Sequence, residues 1–357
     1  MVKADIIKSY REFIPHSRPT LGPEEAQAAA AVIESGHIAE GPVVKEFESA
    51  FAKRMGVGHA VATSSGTAAL HLSLLALGIG RGDEVIMPAY VCTALLNATG
   101  YTGATPVFAE IDPLTHNIDA DDVSKRLTDR TRAIIVPHLF GLPADLDRLL
   151  SLDVPIIEDC AQSVGAEFNG APLGSLGELG IFSFYATKMV TCGEGGMVIS
   201  NSAQLSARIN DLKSYDEKQN YEPRFNYKMT DIQAAIGLIQ LNRLDALIRR
   251  RREIADRYRR ELTLPGIKLP SDNPAHIYYR FVLGLEADTQ KAIRELNQKG
   301  IGCNRPVYTP LHRCLNISGY AITDNIWETS LSLPIYPSLS DMETDRIVRI
   351  VTDVLDR

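Results

Sequence analysis

Seven short apolar runs, spread between about residue 59 and residue 201, constrain the fold more than any other feature of the sequence. Helical or turn segments separate these runs, which read in chain order HAVAT, EVIMPA, TPVFAEID, AIIVPH, VPIIEDC, IFSFYA and GGMVIS. Their apolar residues are largely continuous rather than alternating, which is typical of strands buried on both faces of a mainly parallel sheet. The sequence therefore predicts an α/β fold.

Helical patterns precede the strand runs. The segment PEEAQAAAAVIESG predicts a helix with Pro23 near its first turn and Gly36 just past its end. A second helix, VVKEFESAFAKRM, should bury one face, because its apolar residues recur at helical spacing. Those residues are Val44, Phe47, Phe51 and Met55.

The last third of the chain predicts a second, smaller domain. A long helix, DIQAAIGLIQLNRLDALIRRRREIADRYRREL, would link the domains, and it is followed by a strand in YYRFVLGL and helices in TQKAIRELNQKG and METDRIVRIVTDVLD. A length of 357 residues also favours two domains. We predict a large domain at residues 1–240 and a smaller C-terminal α/β domain at residues 241–357.

The charge of the chain excludes a polyanion-binding function. The formal net charge is -7 and the sequence pI about 5.7, so there is no electrostatic footprint for nucleic acid or an anionic membrane. The basic run at residues 249–252 is predicted to be a solvated face of the long helix. We therefore predict neither nucleic acid nor membrane as a partner.

The cysteines and the N-terminal residues predict a cytoplasmic protein. The five cysteines are odd in number and form no CxxC pair, which is typical of reduced proteins. They are Cys92, Cys160, Cys192, Cys303 and Cys314. Residues 1–20 show no apolar segment with a cleavage site, and no run approaches the ~18 apolar residues that a membrane span requires.

The segment TSSGTAAL lies between the first predicted strand and a helix. A strand that enters a helix through Ser-Gly-Thr leaves free backbone N–H groups at the helix N-terminus, where a phosphate is held by hydrogen bonds and the helix dipole. Gly66 would let the anion approach, and Thr67 would add a hydroxyl. A simple helix N-cap is the structural alternative for this segment.

The segment VPIIEDCAQSVG ends a buried strand in two acids. A carboxylate at the carboxyl end of a parallel strand lies where such sheets bind ligands, and there Asp159 could pair with a cationic ring nitrogen. Gln162 follows three residues later, within reach of the same site. The alternative is an aspartate that only caps the next turn.

The segment SFYATKMVTCGEGG places Lys188 between an aromatic-rich strand and a glycine-rich turn. A lysine at a partly desolvated strand end, near a ring and a phosphate, can lose its proton and form a Schiff base. A surface lysine that extends its charge into water is the alternative. The order of the three segments, a phosphate cup, an acid for a ring nitrogen and a lysine, favours the Schiff base.

Other apparent motifs carry no chemistry. GSLGELG lacks the G-x-G-x-x-G spacing and precedes a strand, so it does not predict a dinucleotide site. The histidines show no close ligand spacing, so we predict no metal. His138, in VPHLFG at a strand end, is either a residue facing the site or a packed core histidine.

The ordered set of segments resembles the pyridoxal-phosphate aminotransferases of the DegT/StrS type, which aminate keto sugars of nucleotide-sugar and aminocyclitol pathways. The likeness runs from RPTLGPEE through SSGTAAL, IIEDCAQSVGA, SFYATKMVTCGEGGMV and FNYKMTDIQAAIGLIQL to LSLPIYPSL. It implies a fold-type-I homodimer with pyridoxal 5'-phosphate in active sites at the subunit interface. Its small-molecule substrates would be an amino-acid donor such as glutamate and a keto-sugar or keto-cyclitol acceptor.

The resemblance also implies roles for individual residues. Lys188 would form the Schiff base and then move a proton between the substrate carbon and the cofactor's C4' carbon. Asp159 would keep the pyridine nitrogen protonated, which makes the ring an electron sink. Gln162 would bond the phenolic oxygen side of the cofactor. The phosphate would be held by Gly66, Thr67 and Ser183, and by Asn226 reaching across the dimer.

Two departures from the family pattern stand out. In PAYVCTALLNA, Cys92 occupies the position where an aromatic usually stacks on the cofactor ring, so either Tyr90 takes over or a small residue packs that face. In RPVYTPLH, Val307 replaces the histidine that often precedes Tyr308.

Two other functions remain as alternatives. One is a sugar dehydratase of the same superfamily, although such relatives carry histidine at the position of Lys188. The other is a regulator that binds the cofactor without catalysing a reaction.

Overall fold

A computed structural model describes residues 13–356 of the protein. Residues 1–12, which begin the predicted large domain, lie outside the described residues. The helices are α1 Pro23–Ser35, α2 Pro42–Met55, α3 Gly66–Ala76, α4 Ala94–Thr102, α5 Ala120–Arg126, α6 Leu146–Leu150, α7 Ala203–Leu212, α8 Asp231–Glu261, α9 Thr289–Gln298, α10 Leu311–Cys314, α11 Ala321–Thr329 and α12 Asp341–Leu355. The strands are β1 His59–Thr63, β2 Glu84–Pro88, β3 Thr105–Ala109, β4 Thr131–Pro137, β5 Ile156–Asp159, β6 Glu167–Phe168, β7 Ala171–Pro172, β8 Leu179–Ser183, β9 Gly196–Ser200, β10 Ile267–Lys268, β11 Phe281–Leu285 and β12 Ser330–Leu333.

The main sheet has seven strands in the order β1-β9-β8-β5-β4-β2-β3. Strand β9 pairs antiparallel with both of its neighbours, and the other six strands share one direction. Each of the seven apolar runs forms one of these strands, so the predicted α/β fold with a mainly parallel sheet is confirmed. The reversal at β9 follows from the glycine-rich turn after β8, which returns the chain directly beside the strand it has just left.

Helices cover both faces of the sheet. On one face, α2 packs an aromatic cluster against β8, with ring centroids 4.8 Å apart for Phe51 and Phe182 and 5.2 Å apart for Phe47 and Phe184. On the other face, α3 and α4 pack their apolar residues against the sheet. Burial on both faces explains why the strand sequences are continuously apolar.

The long helix α8 begins beside α2 and ends in a separate apolar cluster. At its start, Asp231 accepts hydrogen bonds from the backbone N–H groups of Gly41 and Val44, at 2.8 and 2.9 Å, and so caps α2. Its second half packs with α9, α12 and the antiparallel sheet β10-β11-β12. Ile14 joins this cluster through a parallel bridge to Ile301. The domain boundary near residue 240 stays a prediction.

One residue of the basic run in α8 differs from its predicted solvation. Arg251 is buried, and its guanidinium donates to the carbonyl oxygens of Ile335 at 2.7 Å and Tyr279 at 3.3 Å. A buried guanidinium is tolerated where backbone carbonyls accept its protons, because their partial negative charge replaces water. Arg251 therefore fastens α8 to the segments that lead into and out of the small sheet.

All five cysteines are free thiols. Among the described residues, no helix is long and apolar enough to cross a membrane.

Candidate active site

The carboxyl ends of β1, β5 and β8 lie at one edge of the sheet, because these strands run in the same direction. This edge carries Thr63, Asp159 and Ser183 as the last residues of the three strands. In open α/β sheets, ligands bind at the carboxyl ends of parallel strands. The three segments singled out in the sequence therefore meet at the edge where a ligand is expected.

The N-terminus of α3 has the features of an anion site. The Ser65 side chain caps the helix by accepting from the Ala68 N–H at 3.1 Å. The N–H groups of Gly66 and Thr67 have no hydrogen-bond acceptor among the described residues. Two free donors at the positive end of a helix dipole are suited to hold a phosphate. The N-cap interpretation and the phosphate interpretation are thus compatible.

Two glycines bring the backbone segments of this edge close together. A Cβ on Gly66 would lie 2.8 Å from the Ser183 Cβ, so only glycine lets α3 start directly against the end of β8. A Cβ on Gly196 would lie 2.3 Å from the Ser65 carbonyl oxygen, which explains glycine at the start of β9. These approaches place the Ser183 hydroxyl beside the free N–H groups of α3.

Asp159 is a buried acid with few partners. Its Oδ1 accepts one hydrogen bond, from the Ala161 N–H at 3.0 Å. Desolvation raises the pKa of the Asp159 carboxyl, although the Ala161 hydrogen bond and the positive charge of Lys188 act in the opposite direction. A buried carboxylate whose negative charge has so few partners is suited to pair with a cationic ring nitrogen.

Glu158, the neighbouring acid, has a structural role. Its carboxylate accepts from the backbone N–H groups of Gly174, Leu176 and Gly177 at 2.6–2.8 Å. His138 is fully buried; it accepts from the Ala144 N–H through Nδ1 and hydrogen-bonds Glu158 through Nε2 at 3.1 Å. These bonds identify His138 as the packed core histidine.

The same bonds argue against a metal at this cluster. Cys160 lies close enough to His138 and Glu158 for the three side chains to surround an ion. However, both ring nitrogens of His138 and both carboxylate oxygens of Glu158 are already used in hydrogen bonds. We therefore assign the cluster to the support of β5.

We expect Glu158→Gln to lower the free energy of unfolding by about 3 kcal/mol, because a hydrogen bond to a charged group is worth about 1.5–3 kcal/mol and the new NH2 would face backbone donors. Hydrogen bonds from His138, Gly174 and Gly177 outweigh burial and lower the Glu158 pKa. The stabilisation is therefore present above the ordinary value of 4.5 and is lost as pH falls through the folded-state pKa. Urea unfolding tests this expectation. The exposed Glu178→Gln serves as control, and equal losses in both variants would contradict it.

Lys188 lies in the turn after β8, where its N–H donates to the Tyr185 carbonyl at 2.8 Å. Its side chain is half-buried, and its Nζ lies 5.2 Å from the centroid of the Tyr279 ring. Cys92 is solvent-accessible but recessed, and desolvation raises the pKa of its thiol; Lys188 opposes this shift and Asp159 adds to it. Lys188 therefore lies within electrostatic reach of Tyr279, Cys92 and Asp159, and we call the space around its amine the recess.

Tyr90 and Cys92, the two candidates for the cofactor face, lie in different environments. Tyr90 is fully buried, with its ring edge-on to the rings of His116 and Phe140. Cys92 is reachable by solvent, and its thiol is within electrostatic reach of Lys188. This arrangement favours the small residue at the cofactor face.

Gln162 has one half of its amide fixed. Its Oε1 accepts from the Phe140 N–H at 2.8 Å, which assigns the other end of the amide as the NH2 group. That NH2 has no acceptor among the described residues. It is available to donate to an oxygen of a bound ligand, as the predicted contact with a phenolic oxygen requires.

The segment around Asn226 contacts the phosphate region of its own chain. The Ser64 N–H donates to the Tyr227 carbonyl at 2.7 Å, and Asn226 forms a bridge to Ser214. The Asn226 side chain is exposed. It therefore lies at the surface of the chain.

The segment RPVYTPLH, which holds the second departure from the family pattern, exposes one aromatic side chain. The Tyr308 side chain is 94% exposed, whereas Val307 is buried. The backbone of this segment is fixed, because the Trp327 indole N–H is shared between the Val307 and Tyr308 carbonyl oxygens at 3.2 Å.

Tyr279 is the residue at this site that sequence reasoning missed. The pattern YYRFVLGL assigned it to a strand, but β11 begins only at Phe281, and Tyr279 lies in the preceding connection. Its position next to Lys188 depends on the packing between distant segments. The sequence contains no local signal for it.

The chain's own residues fit pyridoxal phosphate. The free N–H groups of α3 and Ser183 provide a place for a phosphate, and the buried Asp159 provides a partner for a cationic ring nitrogen. Lys188 supplies an amine in the same recess, and the Gln162 NH2 supplies a further donor. The donor set and its chemistry are those that this cofactor requires.

Comparisons with known proteins agree with this chemistry. The model of the DegT/DnrJ/EryC1/StrS aminotransferase family matches residues 19–352. The chain is 37% identical over 341 residues to GDP-perosamine synthase of Caulobacter vibrioides, a match that covers 88% of this chain and 91% of the relative.

Two solved structures have the same fold. The aminotransferase TlmJ of Streptoalloteichus hindustanus superposes with a TM-score of 0.92 at 35% identity, covering 96% of this chain and 98% of the other. Spr1654 of Streptococcus pneumoniae, in its PMP form, superposes with a TM-score of 0.91 at 29% identity, with the same coverage. The dehydratase and the regulator find no support among these relatives. The chain therefore belongs to the DegT/DnrJ/EryC1/StrS aminotransferase family and is a pyridoxal-phosphate-dependent aminotransferase.

Proposed function

We propose that the protein transfers the amino group of glutamate to the carbonyl carbon of a nucleotide-linked keto sugar. The observation that carries this proposal is the meeting of Lys188, Asp159 and the free N-terminus of α3 at one sheet edge. Each of these groups is needed for a different part of amino transfer, and they occur together in one recess.

Each residue has a defined task. Bound pyridoxal phosphate supplies an electron sink that stabilises negative charge on the substrate carbon. Lys188 would hold the cofactor through its amine, and the same amine, once released, would carry the proton between two carbons in each half of the reaction. Asp159 would keep a proton on the ring nitrogen. The N–H groups of Gly66 and Thr67 would hold the phosphate, and Gln162 would donate to the phenolic oxygen.

A nucleotide-linked keto sugar is the acceptor that the relatives favour. The relative at 37% identity is named GDP-perosamine synthase, and GDP is a nucleotide carrier. An exposed aromatic such as Tyr308 is suited to stack on a base or a sugar face. A free keto cyclitol is the competing acceptor.

The donor and acceptor are tested separately. Purified protein loaded with pyridoxal phosphate should react with glutamate, lose its yellow colour and release one equivalent of 2-oxoglutarate per site. The aminated protein should then be mixed with a panel of nucleotide-linked keto hexoses and free keto cyclitols. Recovery of the yellow form with nucleotide-linked sugars alone supports the proposal, and recovery with cyclitols alone contradicts the acceptor.

We further propose a cytoplasmic homodimer in which Asn226 of each subunit completes the phosphate site of the other. Support comes from the exposed side chain of Asn226, from its position beside the α3 segment and from free thiols throughout the chain. In an isologous dimer, two identical surfaces exchange such residues reciprocally.

Mixing two inactive variants tests the shared site. We expect Lys188→Ala and Asn226→Ala to be inactive or weak alone but to regain activity when unfolded and refolded together. Half of the randomly assembled dimers would carry both variants, and one of their two sites would be intact, so activity should approach about a quarter of the wild-type value. Refolding each variant alone is the control. If the mixture stays as inactive as its parents, Asn226 acts within its own chain.

A further inference from the structure

Tyr279 brings a buried phenol close to Lys188. It lies in the connection between β10 and β11, and its side chain is 5% exposed. The Lys188 Nζ lies 5.2 Å from its ring centroid, and the Arg280 guanidinium carbon lies 4.9 Å from the same centroid. The buried ring is therefore close to two cations.

The backbone around Tyr279 is hydrogen-bonded to the turn that follows β4. The Ile277 N–H donates to the Gly141 carbonyl at 3.0 Å, and the Arg280 N–H donates to the Phe140 carbonyl at 3.4 Å. Phe140 in turn donates its own N–H to Gln162. These bonds fix the position of the phenol relative to the cofactor-binding residues.

The charges around the phenol favour its ionised form. Burial opposes ionisation, but Lys188, Arg280, the Thr187 side chain and Arg251 of α8 outweigh it and lower the Tyr279 pKa to about 7. In contrast, burial raises the pKa of the phenols in other buried tyrosines. Examples are Tyr90, Tyr258 and Tyr336.

We propose that Tyr279 is a further positioning residue of the transfer reaction, whose phenolate pairs with the ammonium form of the released Lys188. The positive charge of Lys188 is the first of the charges that lower the Tyr279 pKa, so their attraction favours the ammonium and the phenolate together. No proton passes between the two groups, and the ammonium keeps its proton until it reaches the receiving carbon.

This role deepens the proposed amino transfer and rests on it. Lys188 is an ammonium between taking the proton from one carbon and giving it to the other, and a buried counter-charge stabilises it during that interval. The aromatic face of Tyr279 also attracts the ammonium form. Tyr279 therefore serves both as a counter-charge and as a place where the released lysine is kept near the reacting carbons.

The first test uses cofactor-free protein and measures tyrosinate absorbance against pH. We expect one of the 13 tyrosines to ionise near pH 7. Tyr279→Phe should remove this step, and Lys188→Ala should raise its midpoint by at least about one pH unit, because a nearby positive charge is lost. Tyr221→Phe, at a 96% exposed position, is the control that should leave the step unchanged. No step near pH 7, or a step that ignores Lys188→Ala, would overturn the proposal.

The second test measures the reaction of the loaded enzyme with glutamate across pH. In Tyr279→Phe we expect the rate at pH 7 to fall about 100-fold, the low end for losing one partner of a buried ion pair, and the rise in rate through pH 7 to disappear. A slower variant that keeps this rise would assign Tyr279 a purely structural role. A wild-type protein that fails to react with glutamate contradicts the proposed function itself, which separates the two failures.

Discussion

Lys188→Ala is expected to abolish turnover while leaving the fold intact. The same side chain supplies the nucleophile and the proton carrier, and general acid–base catalysis alone is typically worth about 10²–10⁴-fold. We therefore expect the reaction with glutamate to slow by at least about 10⁴-fold. The side chain is half-buried in a turn and belongs to neither of the apolar clusters on the two faces of the main sheet, so the urea midpoint should change little.

Three measurements separate this result from a general loss of structure. Borohydride reduction of the loaded wild-type protein should fix the cofactor to the peptide that contains Lys188, and the variant should show no label. A small primary amine added to the variant should restore part of the rate, because it replaces the missing base. Lys53→Ala, at an exposed position in α2, should behave as wild type. Label on any other lysine would refute the assignment.

The periodic elements of this fold were predictable because each one expresses a local rule. Continuous apolar runs predicted the seven strands, and the long helix α8 was predicted within one residue of its ends. The two-residue strand β10 and the four-residue strand β12 were missed, because such short strands do not show a recognisable pattern of apolar residues. Arg251 was misjudged because its burial depends on carbonyl groups from distant segments.

The candidate site was predictable only where motif residues lie next to strand ends. Strand alternation places Glu158 and Asp159 on opposite faces of β5, but the sequence does not say which face meets the backbone donors of Gly174 and its neighbours. The contact between Tyr279 and Lys188 forms between segments far apart in sequence. Such contacts depend on how the connection before β11 packs against the main sheet, which no local pattern encodes.

Asp159→Asn is the second substitution with a large expected effect on activity. Removing one partner of a buried ion pair costs about 3–5 kcal/mol, and each 1.36 kcal/mol changes a rate about tenfold. We therefore expect the reaction with glutamate to slow by about 10²–10⁴-fold. Stopped-flow measurement of the loss of the yellow form provides the rate. A variant within about threefold of wild type would show that Asp159 does not hold the ring-nitrogen proton.

The same substitution should not destabilise the cofactor-free protein. Because burial raises the Asp159 pKa, the folded chain binds this proton more tightly than the unfolded chain, and stability falls as pH rises from the ordinary value of 3.8 through the raised one. Asparagine removes the buried charge, so at about pH 8 the variant should unfold at an equal or higher urea concentration than wild type, and the difference should shrink towards about pH 4. Asp129→Asn, at an exposed position, should show no such pH dependence. Lower stability of Asp159→Asn at every pH would mean that the carboxylate supports the fold. Higher stability together with lost activity would mean that the buried charge lowers the stability of the fold and is needed for the reaction with the cofactor.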